Sequence, residues 1–422
     1  MSIIQHPSIE RKIKVASKSS PKDEIQTPNN INFIQVFLNY GYYFLLTPFK
    51  INKHPVSAEY ELGSNWTQKI LCASAHSLLL LQSLSETRQQ IFKGILLKNI
   101  HHPTNTFFAI ATLANFSSKF LLIMIFWTRE HSFLKIVQFL ADNGHLSCIR
   151  FRSKLNSKRF LRFFCALLVT AAIINVAIFA STTEKLDPSP FSSDRIFRRI
   201  VATARYNFLL ASDTRLNSVP TWDDIHPSDW IIGVLAFIGI WFRQLLAFTS
   251  DGFILLLAMF IWTLSQSFEQ LVSRNCDKNE FLLNFQALKT VSNLIREIMG
   301  NCILLYFGEA LFYYSVNIND LLKDEEDTER IRSLVFLSIA IMIFRFSGDS
   351  CQTVEDSVIG WIRLKFGEID PGLTSVLMHD ATKHVVGLHG SIFVVDYSTI
   401  LSMVAAMVTY FVVCATSEGR RN

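Results

Sequence analysis

Stretches of about 20 apolar residues recur along this chain, each long enough to cross a hydrocarbon core of about 30 Å as a helix. They fall at residues 67–87, 105–127, 160–181, 231–255, 298–318, 331–348 and 391–416. Composition agrees: of 422 residues 50% are hydrophobic and 18% charged, with 36 Phe, and the mean hydropathy is +0.28. Such a chain is expected to be an all-α, polytopic membrane protein with seven transmembrane helices.

Charge orients the spans. The first 30 residues are polar and lack the apolar core of a secretory signal, so the N-terminal tail 1–30 is expected in the cytosol. Segment 31–49 is aromatic but holds Asn39 and Gly41 and runs into Pro48, the pattern of an interfacial or re-entrant helix. Segment 128–159 carries Arg129, Lys135, Arg150, Arg152, Lys154, Lys158 and Arg159 against Glu130 and Asp142, which places it inside. Loops 182–230 and 319–329 then lie outside, as does the tail 417–422. The sequon Asn65-Trp66-Thr67 cuts against this order, since it is usable only if 31–49 crosses the membrane.

Spans 1–4 occupy 67–255, spans 5 and 6 occupy 298–348, and the seventh occupies 391–416. The apolar pattern runs past the bilayer after span 4 and before span 5. Segments 256–297 and 349–390 are therefore expected to form a cytosolic bundle that includes amphipathic helices.

No enzyme signature is present: there is no Gly-rich phosphate loop, nucleophile elbow or His/Glu pair at zinc spacing. No cofactor is implied. The seven Cys show no ligand or disulfide spacing, His101-His102 and the spread His379, His384 and His389 make a poor ligand set because His379 and His384, five apart, do not share a helix face, and the net charge of +5 is too dispersed for nucleic acid. Polar residues within the spans are more informative, because an ionisable group in a membrane is costly and faces the bundle interior or water. Candidate ligand-pocket residues are Asn175, Trp241, Arg243, Gln244, Tyr306, Glu309 and Tyr313, with Asp251 also in the fourth span. Tyr306 and Tyr313 stand three before and four after Glu309, so carboxylate and phenols share a face. Pairing of Arg243 with Glu309 as a clamp between helices is an alternative use of the same groups.

In the last span Ser398, Ser402, Ala406, Thr409, Val413 and Thr416 trace one narrow stripe of small side chains. Close helix packing and a pore wall shared among subunits both fit such a stripe. Residues 387–413, GLHGSIFVVDYSTILSMVAAMVTYFVV, resemble the C-terminal signature of the insect gustatory receptors at Gly390, Phe393, Asp396, Thr409 and Tyr410. Phe411, Val412, Val413, Cys414 and Ala415 supply its five apolar positions, and Thr416 and Ser417 stand where the family has Gln and Phe. Phe411 replaces the Glu of many sugar-sensing members.

The resemblance implies a chemosensory channel of inverted topology, assembled as a tetramer with itself or related receptors in the lipid bilayer of sensory-neuron plasma membranes. It further implies that the seventh helix lines a cation pore and that a small tastant enters from outside into a pocket among spans two to six. Pore and gate residues would be Ser402, Ala406, Thr409, Tyr410, Val413, Thr416 and Ser417, and the over-long helices would form the anchor of the tetramer. A G-protein-coupled receptor is opposed by the basic 128–159 segment and the absence of Asp-Arg-Tyr after the third span. A secondary transporter using Arg243, Asp251 and Glu309 is opposed by the lack of an internal repeat.

Overall fold

A computed structural model of the chain describes residues 31–54, 59–91, 103–143, 158–181, 227–322 and 327–419. Within them the elements are α1 (Ile31–Tyr43), β1 (Lys50–Lys53), β2 (Tyr60–Gly63), α2 (Trp66–Ile91), α3 (Pro103–Thr128), α4 (Glu130–Asp142), α5 (Lys158–Ser181), α6 (Pro227–Ser273), α7 (Lys278–Leu322), α8 (Asp327–Leu364), α9 (Pro371–Thr382) and α10 (Tyr397–Gly419). The fold is all-helical apart from one antiparallel hairpin, β1-β2, with Lys50 opposite Gly63. The tail 1–30, most of the 182–230 loop and His101-His102 lie outside the described residues.

Six of the expected spans each fall within a single helix, α2, α3, α5, α6, α7 and α8. The last apolar segment becomes helical only at Tyr397. Residues ahead of it fold back on themselves through a bridge between His389 and Val394, and Asp396 then caps the helix, its Oδ1 accepting from the Thr399 N–H at 2.7 Å. Among the described residues, Ala109–Thr128, Gly233–Ser273 and Ser333–Leu364 are long and apolar enough to cross a membrane, and Tyr397–Val413 is apolar but shorter. Polar side chains dilute other helices: Gln68, Lys69 and His76 in α2, and Lys289, Arg296 and Glu297 in α7.

Ring stacking and polar contacts set the directions of the helices. Phe248 stacks on Phe336, Trp262 packs on Phe346 and Gln266 donates to Thr353 at 3.2 Å, so α6 and α8 run parallel. Phe107 meets Phe312 and Cys302 donates to the Ser118 carbonyl, so α3 lies antiparallel to α7. Ser391 bonds to Gly300 and Tyr410 stacks on Phe312, so α10 runs parallel to α7.

The far ends of α6, α7 and α8 close with α9 into a lower bundle with an aromatic core. Phe281 stacks on Trp361 with centroids 3.9 Å apart and planes at 6°, and Phe268 lies 5.4 Å from Phe281. Lys289 Nζ reaches Asp380 Oδ2 at 2.8 Å, fastening α7 to α9.

α1 packs on α6: Phe37 stacks on Phe253 at 4.4 Å and Phe33 lies 5.8 Å from Phe260. The chain then turns at Leu45, in the left-handed region with φ 58°. At Gly41 a Cβ would stand 2.9 Å from the Thr47 methyl, so the tight return requires glycine. Asn39 bonds both backbone groups of Ile51 in β1, donating at 3.3 Å and accepting at 2.9 Å. Gln138 of α4 donates to the Tyr60 carbonyl in β2 at 3.2 Å. These bonds gather α1, the hairpin and α4 into one packed unit. Asn65, the sequon residue, caps α2 by accepting from the Thr67 N–H at 3.2 Å.

Candidate functional site

Polar side chains from three helices meet between α3, α6 and α7. The antiparallel pairing of α3 with α7 brings Asn115 opposite Glu309, and the Asn115 amide donates to the carboxylate. One turn along α3, Lys119 donates to the amide oxygen of Asn115, so charge is relayed from ammonium through amide to carboxylate. Asp251 of α6 lies within electrostatic reach of both Glu309 and Lys119. Tyr306 and Tyr314 of α7 complete the cluster and feel the same two carboxylates. Placing such groups inside a bundle costs about 2.5–3.5 kcal/mol per charge before compensation, so the cluster needs a reason to exist.

Of the residues expected to line the pocket, Tyr306 and Glu309 are in this cluster. Tyr313 has turned toward α8, where its hydroxyl lies 3.2 Å from Ser333 Oγ. Trp241, Arg243 and Gln244 sit seven to ten residues before Asp251 on α6, roughly 10–15 Å along the helix at its ordinary rise. Gln244 is buried there and Trp241 packs against the apolar core. The cation beside Glu309 is Lys119 and not Arg243, because antiparallel packing delivers α3 to that turn of α7. The Asn175 side chain lies outside the described residues. Lys119, Asn115 and Tyr314 were missed from sequence, although a lysine inside the apolar 105–127 segment carries the same signal as Glu309.

The second feature is α10. Its inner face packs on α3, α7 and α8, and Tyr410 belongs to that face, with its ring 5.0 Å from Phe107 and 6.0 Å from Phe312. The outer face has no partner among the described residues: Leu401 is 71% and Val408 53% exposed. Ser402, Thr409, Val413 and Thr416 lie on this exposed side, with Ala406 at its edge. The hydroxyls of Ser402, Thr409 and Thr416 each donate to a carbonyl of their own helix four residues back, so the stripe presents small, satisfied surface. Nothing is described of the Ser417 side chain.

The base of α10 is held by several contacts. His384, at φ 47°, sets its imidazole between Glu355 Oε2 of α8 at 3.8 Å and the capping Asp396 Oδ2 at 3.7 Å. Tyr397 donates to Asp349, and its ring occupies the space that a Cβ at Gly348 would enter at 2.8 Å. His389 beside them is buried, which holds its imidazole down to about 4, with the Val385 carbonyl partly opposing. Next to this base an open cleft of about 590 Å³ lies between α3 and α7, lined by Thr128, Arg129, Arg296, Glu297, Asn301 and Ser391. No group of three metal-ligating side chains occurs among the described residues.

No protein-family model matches the chain, and no curated protein matches it. Solved structures do. The insect olfactory receptor OR5 from Machilis hrabei in complex with eugenol superposes with a TM-score of 0.55 at 13% identity, covering 92% of this chain and 97% of that one. A second structure of the same receptor gives a TM-score of 0.55 at 13% identity, covering 91% of this chain and 96% of that one. The chain has the fold of an insect olfactory receptor. That fold spans nearly all of both proteins, and it agrees with the resemblance carried by Gly390, Phe393, Asp396, Thr409 and Tyr410 at the C-terminal end. Among the described residues three helices are long and apolar enough to cross a membrane, and both similar structures are of an olfactory receptor.

Proposed function

We propose that the chain is a gustatory-type chemosensory receptor that acts as a ligand-gated, non-selective cation channel in the plasma membrane of sensory neurons. The observation that carries this reading is the olfactory-receptor fold along more than 90% of the chain. A small tastant enters from outside and binds among α3, α6 and α7; the eugenol complex of the similar receptor supports a small organic ligand. Four copies, of this chain or with related receptors, bring their α10 helices together around the pore. Ser402, Ala406, Thr409 and Val413 form its wall, Thr416 and Ser417 its outer gate, and Tyr410 braces the wall from behind. Ligand opens the gate only by binding the open arrangement more tightly than the closed one.

Helix directions support an inverted topology. With the basic segment after α3 in the cytosol, α3 runs inward, the antiparallel α7 outward, and α10 parallel to α7 also outward. The N-terminus is then cytosolic, the lower bundle of α6 to α9 is the cytosolic anchor, and the C-terminal tail is outside. Epitope tags at both ends of the expressed chain, probed in intact and permeabilised cells alongside whole-cell recording against a tastant panel, test this. An external N-terminus with an internal C-terminus, or a well-displayed protein that conducts with no compound, refutes the channel reading.

A further inference from the structure

The open cleft between α3 and α7 changes character along its length. Leu121, Met124 and Ile125 of α3 line one end, where Met124 is 42% exposed. The apolar run of α3 that is long enough to cross a membrane stops at Thr128, and Arg129 follows it into the cleft lining. On the antiparallel α7 the change falls at the same level. Asn293, Arg296 and Glu297 are exposed and line the cleft, and from Ile298 the helix turns predominantly apolar. Two helices of opposite direction thus pass between apolar and charged at one height, which is where a membrane spanned by α3 meets water. Neither the Arg129 guanidinium nor the Glu297 carboxylate has an ion-pair partner among the described residues.

An amphipathic anion suits such a surface. Two guanidiniums against one carboxylate leave the described lining with an excess of one positive charge, the complement of one phosphodiester. Guanidinium forks match phosphate oxygens in geometry as well as charge, and basic pockets between helices at the membrane boundary take lipid headgroups. Glu297 opposes a guest with several negative charges, which disfavours a polyphosphorylated headgroup. A soluble phosphate ion leaves the apolar end of the cleft uncovered. We propose that the cleft holds a membrane glycerophospholipid, its single phosphodiester between Arg129 and Arg296 and an acyl chain along Leu121 and Met124. Arg296 also donates to the Ser391 carbonyl at 3.2 Å, and the Ser391 N–H donates to the Gly300 carbonyl at 3.1 Å. A guanidinium has donors enough for both carbonyl and phosphate, so the lipid is tied to the segment that leads into α10. The proposal rests on the reading of α3 as a membrane span and is independent of ion conduction.

The test uses the purified full chain, stripped of co-purified lipid in detergent, with binding read from the melting midpoint. The probe is dioctanoylphosphatidylglycerol; dioctanoylglycerol lacks its phosphate and glycerol 3-phosphate lacks its chains. The phospholipid is expected to raise the midpoint at concentrations where neither counterpart does. Arg129→Gln and Arg296→Gln should each weaken it about tenfold, the scale of one charge-assisted hydrogen bond. Glu297→Gln should strengthen it about threefold, as loss of one exposed like charge does. A damaged variant does not bind more tightly, so the opposite signs separate binding from misfolding. Arg363→Gln removes the same charge from the exposed surface of the lower bundle and should leave affinity unchanged. The proposal is overturned if either counterpart binds as well as the phospholipid, if Arg129→Gln and Arg296→Gln change nothing, or if Arg363→Gln weakens binding as much as they do. It also falls if the lipid fails to bind and the two cleft variants instead dissociate the oligomer on size exclusion, which makes the cleft a subunit contact. Lipid binding by a protein that conducts with no tastant keeps the site and refutes the channel. Tastant-evoked current from a protein that ignores the phospholipid keeps the channel and refutes the site.

Discussion

Truncating Trp361 to Ala removes a wholly buried side chain from the core of the lower bundle, where its ring lies 3.9 Å from that of Phe281. Loss of a large buried aromatic costs about 3–5 kcal/mol, and the stacked geometry adds about 1 kcal/mol beyond area, which places this site near the top of that range. Trp361→Phe behaves differently. The substituted ring still faces Phe281, and the change deletes an indole N–H that has no acceptor among the described residues. Relief of a buried unpaired donor is worth about 1–3 kcal/mol, enough to offset most of the lost volume. Fluorescence-detected size exclusion of the heated, tagged full chain in detergent reads the difference. At roughly 2 °C per kcal/mol for a chain of this size, the Ala variant should melt about 6–10 °C early and the Phe variant within about 2 °C of the parent. Equal losses for Phe and Ala, or no loss for Ala, would refute the assignment of this stack as the keystone of the bundle.

Thr416→Leu should cut ligand-evoked current while leaving surface expression intact; unchanged current and ion selectivity would remove Thr416 from the gate. Asn65 should carry no glycan, because the hairpin preceding it is bonded to α4, in the segment assigned to the cytosol. Glycosidase treatment and Asn65→Gln should therefore leave electrophoretic mobility unchanged, and a shift would invert the topology. His389 has its folded pKa depressed to about 4 from an ordinary 6.5, so the unfolded chain binds the proton more readily. Stability is present above about pH 6.5 and is lost as pH falls toward 4, by up to roughly 3 kcal/mol. Melting midpoints across that range should flatten in His389→Gln, and an unaltered slope would exclude this imidazole as the cause.

Length of apolar stretch located six of the helices well, because a membrane-spanning helix satisfies its own backbone and leaves a continuous signature in the chain. Asn39 and Gly41 argued against a simple span over 31–49, and both have work in the structure: Asn39 holds the hairpin and Gly41 admits the Thr47 side chain. The hairpin itself gives no sequence pattern, since its strands are only four residues long and are held by Asn39 of α1 and by Gln138 of α4, 78 residues from its partner Tyr60. The start of α10 was placed early because residues 391–396 are as apolar as the helix they precede, and only the capping carboxylate of Asp396 marks the boundary. In the polar cluster, Glu309 stands out against aromatic neighbours. Its partner on α3 depended on which turn of α3 faces it, and a single sequence contains no such information about pairing.

The base of α10 is fixed at Asp396 and Tyr397, while its outer face has no partner among the described residues. Mechanically the helix is a lever clamped at one end. From Tyr397 to Thr416 it is roughly 28 Å long at the ordinary helical rise, so a tilt of about 5° at the clamp carries the Thr416 end through about 2.5 Å. In the proposed tetramer, four such levers moving together would change the aperture by more than the width of an ion, without any helix unwinding or any side chain changing rotamer. On that proposal the contacts of His384 and Tyr397 form the fulcrum, and small adjustments in the lower bundle would be read out, amplified, at the far end of the helix.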